Sequence, residues 1–305
     1  MKVTRKLLAV VGAAALIAGC GGGGGGSGTT EPATGLLSIA ITDAPVDLVS
    51  VVNVQFTGVT LKPESGDEIQ IGFDAPKNFD LLTLTGGLTA ELLSDTEVPT
   101  GKYNWVRLAV NAEFDTVFDS YAMTSMGEEF ELRVPSGSQN GLKLVSGFTV
   151  TEIQSTHLVI DWDLRKALSD PIGQPGWHLR PALRVTDMAL FGTLNGTVAE
   201  ALVTDARCSN DLVAQTGNAV YIYNGMTDTP GDIADAVSDP FTTATVTQDE
   251  TGAYTYEVNY LSVGDYTAAF TCQANDDISD TDDDIVFATP QAFVIEDGVT
   301  TEINF

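Results

Sequence analysis

Histidine is almost missing from this chain of 305 residues, which has only His157 and His178, and basic charge is scarce, with 14 Lys plus Arg against 42 Asp plus Glu and a formal net charge of −28. So few imidazoles weigh against an acid–base enzyme working at neutral pH. The basic deficit excludes nucleic acid as a partner, because little is left to neutralise phosphates. Residues 191–305 contain no lysine and a single arginine, Arg207, beside twenty acidic residues. There is no Gly-x-Ser-x-Gly elbow and no Gly-x4-Gly-Lys-Ser/Thr loop, so neither a hydrolase nucleophile nor a phosphate cradle announces itself. The one long apolar run, Leu7 to Ala18, is shorter than the roughly 20 residues that span a bilayer core.

That run follows Lys2, Arg5 and Lys6 with no acidic residue among the first nineteen, the layout of a secretory signal peptide (residues 1–19). Ile17-Ala18-Gly19-Cys20 resembles the bacterial lipobox, in which the cysteine receives a diacylglycerol and becomes the mature N-terminus. The resemblance implies lipidation of Cys20 and a membrane partner reached through that lipid. Gly21 at the second mature position resembles lipoproteins sorted to the outer membrane of Gram-negative cells. Gly21 to Gly28, broken only by Ser27, reads as a tether whose reach grows as about 5–6 Å times the square root of its length. Export also explains the remaining cysteines. With Cys20 lipidated, Cys208 and Cys272 are an even pair in an oxidising compartment and are expected as one disulfide, worth about 4 kcal/mol in the chain-entropy account.

Despite its charge the chain is 43% hydrophobic, with many β-branched and aromatic residues, which suits packed cores and excludes general disorder. Short alternating runs separated by turn residues fill positions 35–190: "LLSIAIT" (36–42), "VVNVQFTGVTLK" (51–62), "YNWVRLAV" (103–110), "EFELRVP" (129–135), "THLVIDWDL" (156–164) and "WHLRPALRV" (177–185). In the second of these Val52, Val54 and Phe56 share a face, and the phase then slips at Thr57-Gly58 before Val59 and Leu61, as a β-bulge would make it. No helical stripe exceeds two turns. The expected fold class is all-β, two β-sandwich domains in tandem (35–190 and 191–305) after the signal peptide and a glycine-rich linker (20–34).

"ITDAPVD", "FDLLTL" (79–84), "VPTGKYNWVRL" (98–108), "VPSGSQNGLKL" (134–144), "LVIDWDL" (158–164) and "LRPALRV" (179–185) together resemble the DUF4382 family over roughly residues 35 to 188. The resemblance implies a secreted β-sandwich-like domain and no particular activity. Beyond it, "GTLNGTV" (192–198), "AVYIYNG" (219–225), "DETGAYTYEV" (249–258), "VGDYTAAFTC" (263–272) and "TEINF" (301–305) resemble the carboxypeptidase-regulatory-like or Cna-B-like, transthyretin-type sandwich. Many such domains carry a lysine–asparagine isopeptide bond. Residues 191–305 have no lysine to form one, which leaves Cys208–Cys272 as the covalent staple.

Four places could carry chemistry. Alternation along "THLVIDWDL" puts His157, Asp161 and Asp163 on one strand face, either a cluster for acid–base work or metal binding, or the solvated side of an antiparallel sheet. Asp43, with Asp47, either caps a turn or lines a metal site. Ser136 and Ser138 precede Asn140-Gly141, which reads as a hairpin turn between two strands. In "NDDISDTDDDI" the carboxylates of Asp276, Asp277, Asp280, Asp282, Asp283 and Asp284 are hard oxygen donors suited to calcium. Ile285, where an EF-hand needs glycine, and Gln291, where it needs glutamate, exclude that motif, leaving a looser calcium loop or a solvated turn. No catalytic constellation emerges. The expectation is a lipid-anchored binding or structural module of the cell envelope, with a protein or carbohydrate ligand; the rival is a hydrolase, or hydrolase accessory, on polysaccharide or peptide using Asp161, Asp163 and His157.

Overall fold

The computed structural model describes residues 32–44, 49–135, 142–170 and 176–305. Cys20, its glycine tether, Asp47, Ser136, Ser138 and Asn140-Gly141 lie outside them. The first half contains β1 (Thr34–Ala44), β2 (Val49–Pro63), β3 (Ile69–Asp80), β4 (Ala90–Pro99), β5 (Gly101–Val110), β6 (Tyr121–Thr124), β7 (Glu129–Arg133), β8 (Leu142–Leu144), β9 (Phe148–Val150) and β10 (Thr156–Asp163). A single helical turn, α1 (Leu164–Ala167), then leads to β11 (Leu168–Ser169), β12 (Trp177–Leu179) and β13 (Leu183–Asp187). The second half contains β14 (Phe191–Val198), the short α2 (Glu200–Val203), β15 (Ala219–Asn224), β16 (Thr242–Thr245), β17 (Thr247–Gln248), β18 (Tyr254–Ser262), β19 (Gly264–Thr271), β20 (Gln291–Ile295) and β21 (Thr300–Glu302).

The chain is all-β, and each sheet draws its strands from one half only. A four-stranded sheet ordered β13-β10-β1-β4 faces a nine-stranded sheet built around β2 and β5. Phe56 of β2 meets Trp162 of β10 edge-on at 6.2 Å and Phe79 at 6.0 Å, so the two sheets close over one core. Val52, Val54, Phe56, Val59 and Leu61 are all buried, and the register of β2 against both β3 and β5 shifts between Phe56 and Gly58. That is the expected bulge: one extra residue turns the apolar face back to the core after the slip. Full burial of each large side chain here contributes about 1.5–3 kcal/mol.

Two expectations need correction. "WHLRPALRV" is two strands in different sheets, β12 and β13, because Pro181 offers no N–H to a ladder and interrupts the run. The strands flanking Asn140-Gly141 are not hairpin partners: β7 pairs with β6 and β12, whereas β8 pairs with β5.

In the second half, β17-β18-β14-β21 packs against β16-β15-β19-β20. Leu194, Val220, Ile222, Val258, Phe270 and Ile295 form its core. The other face of β15 and β19 is buried as well, with Tyr221, Tyr223 and Ala269 covered by Ile233, Ala274 and Phe287. Burial on both faces accounts for the unbroken apolar stretch "AVYIY". The segments that cover this face, 225–240 and 274–288, carry four and six aspartates and no basic residue. Cys208 and Cys272 are bonded, as expected, with Cα atoms 4.9 Å apart.

Candidate functional site

β10 ends in Asp161-Trp162-Asp163, and the alternation does place both aspartates opposite Trp162. Neither is solvated. Asp161 and Asp163 are each 4% exposed, because the second sandwich covers their face. Their sheet is mixed, with β10 parallel to β1 and antiparallel to β13. Asp161 accepts a 2.6 Å hydrogen bond from Nε of Arg184 on β13. The same guanidinium donates to the carbonyls of Tyr260 (2.5 Å) and Asn259 (2.6 Å) on β18. Asp163 caps α1 through the Lys166 amide and accepts from the backbone N–H (2.7 Å) and hydroxyl (3.1 Å) of Thr243 on β16. Burial raises the Asp163 pKa above the usual carboxylate range, and the neighbouring Lys166 ammonium opposes that rise.

These bonds belong to a polar seam between the sandwiches. Arg165 donates to the Ala274 carbonyl, Lys166 to Asp239 and the Pro240 carbonyl, and Arg180 to Asp280 and the Ser279 carbonyl. Ser279 returns a hydrogen bond to the Leu168 carbonyl, and the Tyr260 hydroxyl reaches Gly87. Four of the basic residues of the first half thus meet the nearly base-free second half. His157 is exposed and four residues from Asp161, about 13 Å at a strand rise of ~3.3 Å per residue. Asp43 is buried at the end of β1 and lines the cleft between the sandwiches with Asp161 and Arg184. His157, Asp161 and Asp163 are therefore not brought together as a catalytic trio.

The acidic loop is partly assembled. Tyr221, rising from the covered face of β15, donates a 2.5 Å hydrogen bond to Oδ2 of Asp277, which also accepts from the Ile233 amide. Oδ1 of Asp277 is buried and bonds to none of the described residues. Asp232, itself buried, accepts from the Asp283 amide. Carboxylate oxygens of Asp232, Asp277 and Asp283 lie within 4.8 Å of one another, as do those of Asp232, Asp235 and Asp282. Burial, reinforced by Asp232, pushes the Asp277 pKa up to about 6 against the hydrogen bonds that favour its ionised form. Asp232 is raised too, by burial and by Asp282 and Asp283. A hard divalent cation is what such a carboxylate set could hold.

Of the six aspartates proposed from sequence, Asp277 and Asp283 join Asp232 in one group, and Asp282 joins Asp232 and Asp235 in the other. Asp280 is taken by Arg180, and Asp276 and Asp284 are exposed outside both groups. Asp232 and Asp235, some 45 residues upstream, were not foreseen. The three carboxylates within eight residues of "GDIADAVSD" were the available signal, but only the fold lays that segment beside 275–285.

Residues 34–181 match the family described as a domain of unknown function, DUF4382. A comparison with curated proteins found no match. Among solved structures, the chain is similar to the Bacillus anthracis TIE protein (14% identity, 89% of this chain and 34% of that chain, TM-score 0.20). It thus spans about a third of that protein's length. It is also similar to GBS52, the minor pilin of Streptococcus agalactiae (13% identity, 88% and 94%, TM-score 0.18), and to the shaft pilin SpaA of Lactobacillus rhamnosus (12% identity, 89% and 98%, TM-score 0.20). At these TM-scores the likeness carries no argument about function. No helix among the described residues is long and apolar enough to cross a membrane.

Proposed function

We propose that this protein is a lipid-anchored envelope module whose two sandwiches form one stiff head, presenting a binding surface rather than catalysing a reaction. The observation that carries it is the seam: the carboxylates a hydrolase would need, Asp161 and Asp163, are fastened to Arg184 and Thr243 and hold the sandwiches together. A buried, fully bonded charge pair specifies one geometry, and losing one member leaves the other buried without compensation. Support for the anchor is the lipobox at Cys20 followed by the glycine tether. Labelling cells with a palmitate analogue tests the anchor: the wild type is expected to be marked in the membrane fraction, whereas Cys20→Ser goes unlabelled and is released. Stiffness is tested by distances between spin labels placed on the two sandwiches. A single narrow distribution is expected, broadened in Arg184→Ala; a broad distribution in the wild type refutes the stiff head.

The convergence of Asp232, Asp277 and Asp283 favours one addition, a calcium ion bridging the 225–240 and 274–288 segments. Such an ion would relieve the repulsion among these carboxylates and fix the cover over β15 and β19. A rise in melting temperature with calcium beyond ionic-strength-matched sodium is expected, and its absence refutes the site.

A further inference from the structure

The cleft between the sandwiches has a volume of about 650 Å³, within the range of small-molecule and cofactor sites, and both halves line it. Eight of its lining residues are threonines, contributed by β1, the turn before Gly86, β14, β16, β17 and β18. Its charges are Asp43, Asp161, Glu257 and Glu302 against one cation, Arg184, whose guanidinium is spent on Asp161 and on the Tyr260 and Asn259 carbonyls. Anionic ligands are therefore disfavoured, while the threonine hydroxyls and the side-chain amides of Asn195 and Asn259 offer polar partners along the wall. The carboxylates here form no convergent trio among the described residues, which sets the cleft apart from the cation-type cluster on the far loops.

One residue is out of keeping with a purely structural cleft. Thr242 is 1% exposed, and its hydroxyl has no hydrogen-bond partner among the described residues. A buried unsatisfied hydroxyl costs stability, and valine has nearly the same shape without that cost. Elsewhere on the wall stand Thr255 and Asn195, with Glu257 and Glu302, whose carboxylates accept from the side-chain amides of Asn259 and Asn304. Tyr260 completes the rim with a left-handed φ of 55°, held there by its bonds to Gly87, Arg184 and Thr186. Backbone strain of this kind is retained where surrounding contacts over-determine it.

We propose that this cleft binds a neutral, hydroxyl-rich ligand, an oligosaccharide, with Thr242 on its floor and Asn195, Thr255 and Glu257 on its wall. Hydroxyl, amide and carboxylate groups both donate to and accept from sugar hydroxyls, and the negative field selects uncharged chains over acidic ones. The inference deepens the reading of the protein as a binding module by naming its ligand class. It does not depend on the lipid, so a failed labelling experiment leaves it standing, and its own failure leaves the anchor standing.

The test is calorimetric titration of the full chain with cellohexaose, xylohexaose and mannohexaose, and with oligogalacturonate of equal length. Binding of at least one neutral hexaose and none of oligogalacturonate is expected. Thr242→Val should weaken that binding about tenfold, equivalent to about 1.4 kcal/mol, while melting at the same or a higher temperature. Glu257→Gln and Thr255→Val, both on the accessible wall, should weaken it without loss of fold. The proposal is overturned if no neutral hexaose binds at millimolar concentration, if oligogalacturonate binds as well as the neutral chains, or if all three variants bind like the wild type.

Discussion

Two groups of buried aspartates occupy opposite situations. Asp161 and Asp163, at the seam, face donors: a guanidinium, an amide and a hydroxyl. Asp232 and Asp277, over the outer face of β15, accept hydrogen bonds too, but their carboxylates also lie within 4.8 Å of one another and of Asp283, and burial raises the pKa of both, as it does that of Asp163. The difference shows that burial of a charge is not itself informative; what surrounds it separates a fastening between oppositely charged groups from a cluster of like charge.

Breaking the seam should have the largest effect. Arg184→Ala leaves Asp161 buried and unpaired, and a loss of about 3–5 kcal/mol in denaturant unfolding of the full chain is expected. Adding Asp161→Ala should recover much of it; if the double variant is no better than the single one, the pair is not coupled. Removing the disulfide with Cys208→Ala and Cys272→Ala acts on the other side of the comparison, since it frees the strand that leads into the acidic segment. Closure of a loop of 64 residues predicts a loss of about 4 kcal/mol, measured by the same unfolding curves. Next comes calcium: at 100 times its dissociation constant a bound ion adds about 2.7 kcal/mol, or several degrees in melting temperature. Asp232→Asn or Asp277→Asn should abolish the shift, whereas Asp276→Asn and Asp284→Asn should leave it. Equal effects from all four variants would mean plain screening.

The smallest effect sharpens the comparison through pH. The folded-state pKa of Asp163 lies above the unfolded value, so between the two the folded protein binds the extra proton. Its contribution to stability is present below the ordinary carboxylate range and is lost as pH rises through the raised value. Asp163→Asn cannot titrate. The stability difference between wild type and variant should therefore move against the wild type on going from pH 4 towards neutrality, and a flat difference would show that Asp163 titrates normally.

Strand positions were legible because they depend on local alternation, down to the bulge at Gly58 that restores the inward face of β2. The disulfide was legible from compartment and parity. What covers a polar face was not. Alternation set Asp161 and Asp163 apart from Trp162 correctly, yet a period-2 pattern looks the same whether water or a second sandwich lies against it. The hint was in the charges: Arg165, Lys166, Arg180 and Arg184 cluster at the end of a half followed by one with a single arginine. Asp232 and Asp235 stayed hidden for a related reason, since half of their cluster comes from a separate loop brought near by the pairing of β15 with β19.

The placement of β1 has a mechanical consequence. β1 begins at Thr34 and runs inside its sheet, parallel to β10 from Leu37↔Thr156 to Ala44↔Asp163 and antiparallel to β4 on its other edge. A force applied at Thr34 along the axis of β1 loads its hydrogen bonds to β10 together in shear instead of opening them one after another. β10 in turn delivers that load, through Asp161 and Asp163, to β13 and β16. Load on the second sandwich is thereby passed to β1 through β10, without relying on the single connection between Asp187 and Phe191.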